Sequence, residues 1–498
     1  MTFPESREEH FELSGDRIAG PDFKSASGEV VSFLRKSEES AVIRGVQPSA
    51  LAYLISMAMR QIRKTFVLVA PTDREAERFT EMIYLFAGRG QEENGGAPLG
   101  RRVWFLPSRT GHKAQALGKA ETTARRVEAL YALRAAPSPL VVVTSALALI
   151  ERVIPPEILV ANMDHKLAGE SADPEGFMRR LIERGFFRVS LVEDYGDLSR
   201  RGGVLDVYAP LYRWPLRFEF FGDQLESIRL FHPVTQRSMG ALEDAVILPA
   251  SEIVLDAEAR QRAQDAVYED VRKELLSPAA GNIWLDRIAE GYHLGAFESV
   301  FSVFFEKTAS IWDYLDRNAI LIWADAVQVR REMDEQWAKL LRAWDEGGSE
   351  SEWRRRPNEL YDEPEKSFEA ACRFQQLLSN SLSERQGATT VFDLGTVPHT
   401  ELAAAVKAHE NRERLLDPLA ARFRRWIDEG ASVYLICSHK ERAVRIAELL
   451  ENYGIESVVS SRGFGEESFR SSLVKIIHGP LSNGFFWQAE MLAVVAED

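Results

Sequence analysis

The chain has 498 residues, of which 45% are hydrophobic and 28% charged, which is typical of folded globular domains and predicts about three of them, or four small ones. The formal net charge of -15 argues against a protein whose main task is to hold nucleic acid, because that task needs clustered Lys and Arg. Cys372 and Cys437 lie far apart, so neither a disulfide framework nor a zinc site is indicated. No apolar run reaches the length of a membrane span and the first residues are acidic, so we expect a cytoplasmic protein.

Apolar strands alternate with helices in the first third of the chain. The predicted strands cover 41–45, 65–70, 102–106 and 139–146, and the predicted helices cover 49–63, 73–86 and 121–134. Thr72 is the expected N-cap of the second helix. This alternation predicts a parallel sheet of the RecA-like, helicase kind.

The predicted organisation is that of an α/β multidomain chain. A degenerate RecA-like parallel-sheet domain covers 1–160 and resumes over 251–346, and a small α+β antiparallel-sheet domain at 161–250 is inserted into it. The segment 347–385 has the composition of a linker, with many charges, two prolines and little periodicity. Strand and helix signals beyond it predict a small α/β domain of unknown role over 386–498, which stops on a strand, as expected of a chain cut before further domains.

The most informative motif is incomplete. A phosphate-binding loop reads G-x-x-x-x-G-K-[ST], in which Gly lets the backbone approach phosphate, Lys neutralises its charge and the hydroxyl holds magnesium. The register that starts at Gly45 places Ala50, Leu51 and Ala52 at the second Gly, the Lys and the hydroxyl. We therefore predict a degenerate P-loop, no catalytic residue, no metal site and no nucleotide cofactor.

A second helicase signature is also missing. In the predicted strand AILIWAD, Ala324 and Asp325 stand where a helicase has Asp-Glu, so the carboxylate pair that would hold magnesium and activate water is absent. Asp325 is expected to be a strand-end or cap residue.

The densest run of strand signals lies at 185–237. Short β-rich pieces at 187–192, 204–208, 216–221 and 225–231 are separated by turn residues, including one at Asp197, which predicts a small antiparallel sheet.

The strand LRFEFF in this run has two chemically different faces. A period of two places Leu216, Phe218 and Phe220 on one face and Arg217, Glu219 and Phe221 on the other. An outward Arg beside an outward Phe is typical of a protein-binding patch, and such residues are expected to matter little for folding. The alternative, in which Arg217 pairs with Glu219 or Asp206 and Phe221 packs under the turn at 222–223, stays open on these grounds.

Three sequence runs carry a family resemblance: GDLSRRGGVLDVYAPL, PLRFEFFGDQLESIRLFHPVTQRS and VILPASE. They resemble the second domain of the bacterial transcription-repair coupling factor Mfd, a domain that this family shares with the excision-repair helicase UvrB. The resemblance implies an adaptor that docks onto the damage sensor UvrA, with Arg201, Arg217 and Phe221 at the contact positions. It also implies that RNA polymerase and DNA are partners through the missing C-terminal part of the parent protein, whose motor domains are absent here.

The resemblance separates this chain from UvrB itself. The segment between Phe105 and Glu121 is too short for the long hairpin that UvrB threads through damaged DNA, and only four scattered basic residues, Arg109, His112, Lys113 and Lys119, could contact phosphate there. We expect weak direct nucleic-acid binding or none, and no membrane partner. Two alternatives stay open: a UvrB-like DNA-loading ATPase, and a structural module that restrains the motor.

Overall fold

The computed structural model describes residues 26–88, 101–109, 119–291, 294–347, 352–379, 390–407, 416–460, 464 and 473–497. The fold is α/β, and its largest unit is a seven-stranded sheet in which all neighbouring strands are parallel. The strands in spatial order are β15 (Thr390–Asp393), β1 (Ala41–Arg44), β14 (Gln375–Ser379), β13 (Ile320–Trp323), β2 (Thr65–Ala70), β4 (Leu140–Ser145) and β3 (Val103–Leu106).

Helices cover both faces of this sheet, which is why its central strands are continuous apolar runs rather than alternating ones. The TFVLVA run of β2 and the LVVVTS run of β4 are buried almost throughout. The predicted cap at Thr72 is present, because its side chain accepts a hydrogen bond from the Glu75 amide. The α-helices of this unit are Ala26–Lys36, Pro48–Gln61, Asp73–Ala87, Lys119–Ala135, Ala146–Ile150, Pro156–Ala161, Ala257–Arg272, Pro278–Glu290, Ala326–Asp345, Pro357–Leu360 and Pro364–Ala371, with 3-10 turns at Leu294–Phe304 and Ile311–Tyr314.

The segment predicted as a linker, 347–385, differs from that prediction. It contains the helices Pro357–Leu360 and Pro364–Ala371 and the strand β14, which lies between β1 and β13 in the interior of the sheet. Leu377 and Leu378 of this strand are buried. Charged residues dominate the segment's composition, whereas its fold depends on a short apolar run paired with strands far away in the chain.

A buried charged cluster joins the carboxyl edge of the sheet to the chain that returns from the small inserted sheet. The Arg126 guanidinium donates through Nη1 to Glu151 Oε2 at 2.6 Å and to the Pro107 carbonyl at 2.6 Å, and through Nε to Glu252 Oε1 at 2.5 Å. Arg126 and Glu151 are fully buried and Glu252 nearly so. A buried guanidinium with two carboxylates and a carbonyl has its charge and its donors satisfied.

The inserted unit is a six-stranded sheet, antiparallel apart from its first pair. Its strands in spatial order are β11 (Ser238–Leu242), β10 (Gln224–Phe231), β9 (Leu216–Phe221), β8 (Val204–Val207), β7 (Asp197–Arg201) and β6 (Phe187–Arg188). A separate antiparallel pair, β5 (Asp164–Leu167) with β12 (Asp244–Ile247), closes the unit. The helix Pro174–Glu183, capped by Asp173, buries Phe177 and Leu181 against the inner face.

The first two strands of this sheet differ from the sequence prediction. The run predicted as a strand over 187–192 forms only the two residues of β6, and the turn predicted at Asp197 is instead the first residue of β7. The reason is compositional: DLSRR is polar and has no β-branched residue, so its extended conformation comes from pairing with β8 rather than from local preference.

The last unit is a second α/β unit, whose sheet contains both parallel and antiparallel strand pairs. Its strands in spatial order are β16 (Thr396–Pro398), β20 (Phe485–Trp487), β21 (Leu492–Ala496), β17 (Ser432–Cys437), β19 (Val474–His478) and β18 (Ser457–Ser460). Its α-helices are Thr400–Lys407, Asp417–Asp428 and Lys440–Asn452, with a 3-10 turn at Gln488–Glu490.

Aromatic side chains join the last unit to the first. The Phe464 ring lies 5.4 Å from Tyr53, 4.9 Å from Phe86 and 4.1 Å from Tyr434, between centroids. Arg60 donates to the carbonyls of Phe86 and Phe464. Burial raises the pKa of the Tyr53 hydroxyl to about 12, so this hydroxyl stays protonated at physiological pH. Among the described helices, none has the length and apolar character needed to cross a bilayer.

Candidate protein-interaction face

The strand β9 divides its side chains between the core and the outside. Leu216, Phe218 and Phe220 are buried against the helix Pro174–Glu183, and Phe218 packs edge-on to Phe177 with 5.4 Å between ring centroids. Arg217 and Glu219 are half-buried, while Phe221 is exposed. The period of two therefore predicts both faces of this strand from sequence alone.

The strand register places Arg201 on the same outward face. Arg201 lies opposite Val204, and Val204 lies opposite Glu219; residues directly opposite each other in an antiparallel sheet point to the same side. Arg201 is thus two strands away from β9, level with the midpoint between Arg217 and Phe221. The structure brings the three predicted residues onto one face.

Arg217 is held in place by the sheet. Its Nε and Nη2 donate to Asp206 Oδ1 and Oδ2 at 2.7 and 2.8 Å, and Nη2 also donates to Gln236 Oε1 at 3.0 Å. The guanidinium lies over the Phe231 ring at 4.4 Å from its centroid. These hydrogen bonds from Arg217 to Asp206 raise the pKa of the guanidinium above its ordinary value.

The partner of Arg217 is therefore Asp206 on the neighbouring strand, and Glu219 on its own strand is not. Glu219 instead accepts a short hydrogen bond from Ser227 Oγ and lies 3.4 Å from Arg229 Nε. A two-point pair with a carboxylate fixes the plane of a guanidinium, so Arg217 presents its remaining Nη1 donors in one orientation. Sequence reasoning missed Gln236 as a further acceptor, because its position depends on the turn after β10.

Phe221 has no such support. It exposes 78% of its surface and so does not pack under the turn at 222–223. Arg201 is also exposed, and its Nη2 donates to the Ser190 carbonyl at 3.0 Å. Together these residues form a surface with one aromatic side chain beside ordered and solvated guanidinium groups, the residue types that dominate binding energy in protein interfaces.

The degenerate P-loop is hydrogen-bonded to a distant part of the same chain. Gly45 has a left-handed φ of 62°, which glycine adopts without strain, and its carbonyl accepts hydrogen bonds from both the amide and the hydroxyl of Thr396, at 2.7 and 2.9 Å. Thr396 Oγ1 in turn accepts from the Gln47 amide at 2.7 Å, just before the helix Pro48–Gln61. The backbone of this loop is thus hydrogen-bonded to a threonine of the last unit.

The residues that replace the motif belong to the core. Ala50, Leu51 and Ala52 are buried within the apolar cluster behind the sheet. Asp325 is a helix cap, as predicted: its side chain accepts from the Gln328 amide at 3.1 Å. In the described ranges, no group of three or more His, Cys, Asp or Glu side chains could hold a metal ion.

Of the basic residues that could have contacted phosphate, the two that the structure describes, Arg109 and Lys119, are engaged within the protein. Arg109 is not available for phosphate contact, because this side chain is buried, donates to the Arg152 carbonyl at 2.7 Å and lies over the Phe301 ring at 4.2 Å. Lys119 lies 3.9 Å from Glu298 Oε2. His112 and Lys113 lie outside the described residues.

Comparison with known proteins finds a matching domain family and several similar proteins. The family model described as the UvrB interaction domain matches residues 167–253, which contain the whole outward face. The chain is 28% identical over 497 residues, 97% of its length, to a transcription-repair-coupling factor of Myxococcus xanthus, and 25% identical over 96% of its length to one of Bacillus subtilis. Over nearly its whole length the chain is therefore similar to part of the transcription-repair-coupling factors. A coupling factor of Mycobacterium bovis is 24% identical over 72% of the chain.

The match covers only part of these coupling factors. The chain spans 40% of the Myxococcus protein and 39% of the Bacillus protein. Within it, the UvrB interaction domain coincides with the inserted small sheet, so the face that carries Phe221 lies in the part whose family description names an interaction.

Proposed function

We propose that this part of a coupling factor is a non-catalytic adaptor that binds UvrA through the outward face of the small sheet. In a full-length coupling factor, this contact would recruit the excision-repair damage sensor to lesions where RNA polymerase has stalled. Polymerase and DNA would be engaged by parts of the factor that this chain does not span. The observation that carries the proposal is Phe221, a large aromatic side chain left in water on the same face as a guanidinium that the sheet already orients.

The energetics of this face favour binding. Burying an exposed Phe side chain contributes about 1.5–3 kcal/mol. Arg217 is already ordered by Asp206 and Gln236, so little side-chain entropy is lost when a partner contacts it. Because exposed apolar side chains do not stabilise the small sheet itself, their contribution would appear only in a complex.

A titration of the 498-residue chain against purified UvrA tests the proposal. Saturable binding that is lost when the small sheet is altered on its outward face is the expected result. Absence of binding at concentrations of about 100 μM, where even a weak interface is detectable, would contradict it.

The competing enzymatic function predicts that the chain binds ATP at this loop. We expect instead that neither the unmodified chain nor the triple variant Ala50→Gly, Leu51→Lys, Ala52→Thr binds a fluorescent ATP analogue, because the loop backbone is already hydrogen-bonded to Thr396 and the replaced residues are core. Circular dichroism checks that the variant is folded, and Leu51→Met is its matched control. ATP binding by the unmodified chain would support the UvrB-like alternative.

Direct DNA binding is expected to be weak and salt-sensitive. Arg109 is engaged inside the protein and the net charge is -15, so few phosphates can be neutralised and the slope of log K against log salt should be shallow, about 2–3 at most in magnitude. Fluorescence anisotropy of a labelled duplex at several salt concentrations measures both the affinity and this slope. Tight binding that resists salt would overturn this expectation and favour a DNA-loading role.

A further inference from the structure

The two most exposed large apolar side chains in the described part of the chain lie at opposite ends of the outward face. Val234 exposes 84% of its surface and Phe221 exposes 78%. Val234 lies in the turn 232–237 between β10 and β11, next to the end of β9 that carries Leu216, whereas Phe221 lies at the other end of β9. Single exposed apolar residues are ordinary, but this pair brackets a row of charged side chains about 13 Å long, the span of four strand residues.

The turn that carries Val234 is ordered by its own side chains. The His232 ring accepts hydrogen bonds through Nδ1 from the amides of Val234 and Thr235 at 3.2 and 3.3 Å, and it stacks against Trp214 with 4.8 Å between centroids. The Gln236 amide donates to the His232 carbonyl at 2.8 Å. Val234 is therefore held at the tip of a braced turn, and its exposure is a fixed feature of the surface.

The same turn is tied to the predicted contact residue Arg217. Gln236 accepts from Arg217 through its side-chain oxygen and donates through Nε2 to the Pro233 carbonyl at 2.6 Å. Arg217 covers the ring of Phe231, the last residue before the turn. The positions of Val234 and of the Arg217 guanidinium are consequently coupled through one side chain.

The charges on this face indicate the chemistry of its partner. At the outward positions that the strand register fixes on β7 to β10, three guanidinium groups, on Arg201, Arg217 and Arg229, lie with two carboxylates, on Asp206 and Glu219, so the arginines outnumber the carboxylates by one. Both carboxylates are already bonded within the sheet. A partner surface that offers carboxylates around apolar depressions complements this arrangement.

We infer that the turn 232–237 is a second contact of the same interface, in which Val234 enters an apolar depression of UvrA that is bordered by acidic side chains. This inference rests on the proposed function. It adds a contact on the far side of Arg217 from Phe221, so that the guanidinium lies between two apolar anchors and is shielded from water in the complex, the arrangement in which central contacts contribute most.

Substitutions at Val234, titrated with purified UvrA, test the inference. Val234→Ala should weaken binding about fivefold. Val234→Asp should weaken it at least about tenfold and more than Val234→Lys, because an acidic border repels the one and attracts the other. Leu275→Asp, at another exposed apolar position, is the matched control and should bind like the unmodified chain, and melting temperatures should be unchanged throughout.

The outcomes separate this inference from the proposed function. If Phe221→Ala weakens binding while Val234→Asp binds like the unmodified chain, the turn is not part of the interface and only the inference fails. If Val234→Lys is as harmful as Val234→Asp, the acidic border is wrong. If the unmodified chain does not bind UvrA, the proposed function and the inference fall together.

Discussion

Phe221→Ala is expected to weaken UvrA binding at least about thirty-fold while leaving the fold unchanged. Truncation of a true interface anchor costs about 2 kcal/mol or more, which corresponds to that factor. The side chain is largely in water in the free protein, so its removal should change the free energy of unfolding by no more than about 0.5 kcal/mol. Isothermal titration with UvrA measures the first quantity, and thermal melting of the variant measures the second.

Leu275→Ala is the matched control for this experiment, because Leu275 is a comparably exposed apolar side chain outside the small sheet. It should affect neither binding nor melting. Unchanged UvrA binding by a folded Phe221→Ala variant would place the interface elsewhere, whereas a large fall in melting temperature would show that Phe221 supports the sheet.

Substituting Arg217 alone would not test the interface cleanly, although strand alternation places this residue on the outward face. Its substitution by Ala would leave the buried carboxylate of Asp206 without its ion pair, and an unsatisfied buried group costs stability. A loss of binding in that variant would therefore mix a lost contact with a disturbed strand pair. Replacing Arg217 and Asp206 together, by Met and Asn, keeps similar volumes and removes the unpaired charge.

The difference between Phe221 and Arg217 shows which features of the face could be predicted from the sequence. A period of two is a local property, so the inward and outward sides of LRFEFF follow from the letters alone. The partner of Arg217 does not, because Asp206 and Arg217 become neighbours only through the register of β8 on β9. The loss of the P-loop motif likewise follows from the residues at four positions. The contact between this loop and Thr396 does not, because it joins residues 351 positions apart in sequence.

The same limit applies to the large parallel sheet. Apolar runs predict β2 and β4, which are buried on both faces. The strand β14 could not be predicted, because it lies in a charged segment and the five residues QQLLS are too few to show a clear hydrophobic periodicity. Its place between β1 and β13 is set by partners on either side, which no local pattern contains.

The buried charged cluster is the feature whose disruption should destabilise the chain most. Arg126 joins Glu151, from the segment after β4, to Glu252, from the segment that leaves the small sheet. Arg126→Met would leave two buried carboxylates without their central cation. We expect the variant to be less stable by about 3–5 kcal/mol, the usual consequence of removing one partner from a buried ion pair.

The neighbouring residue supplies a matched control. Arg125 lies one position earlier on the same helix and pairs with Glu121 at 2.7 Å in a half-exposed i, i+4 arrangement, a contact that contributes about 0.3–0.5 kcal/mol. In urea unfolding, Arg126→Met should therefore lower the midpoint much more than Arg125→Met does. Equal shifts would show that the cluster does not hold the inserted sheet to the main unit.

The deficit of Arg126→Met should also depend on pH. Burial raises the pKa of the Glu151 carboxyl; burial acts on Glu252 in the same direction, but Arg126 and Arg109 more than offset it and lower the Glu252 pKa. Without Arg126, burial dominates at both sites and their folded-state pKa values rise above the unfolded ones. A group with a raised pKa in the folded state stabilises the fold below its unfolded pKa and loses that contribution as pH rises. The stability difference between Arg126→Met and the unmodified chain should therefore be smaller at about pH 5 than at about pH 8, and a difference independent of pH would mean that the carboxylates find other cations or water.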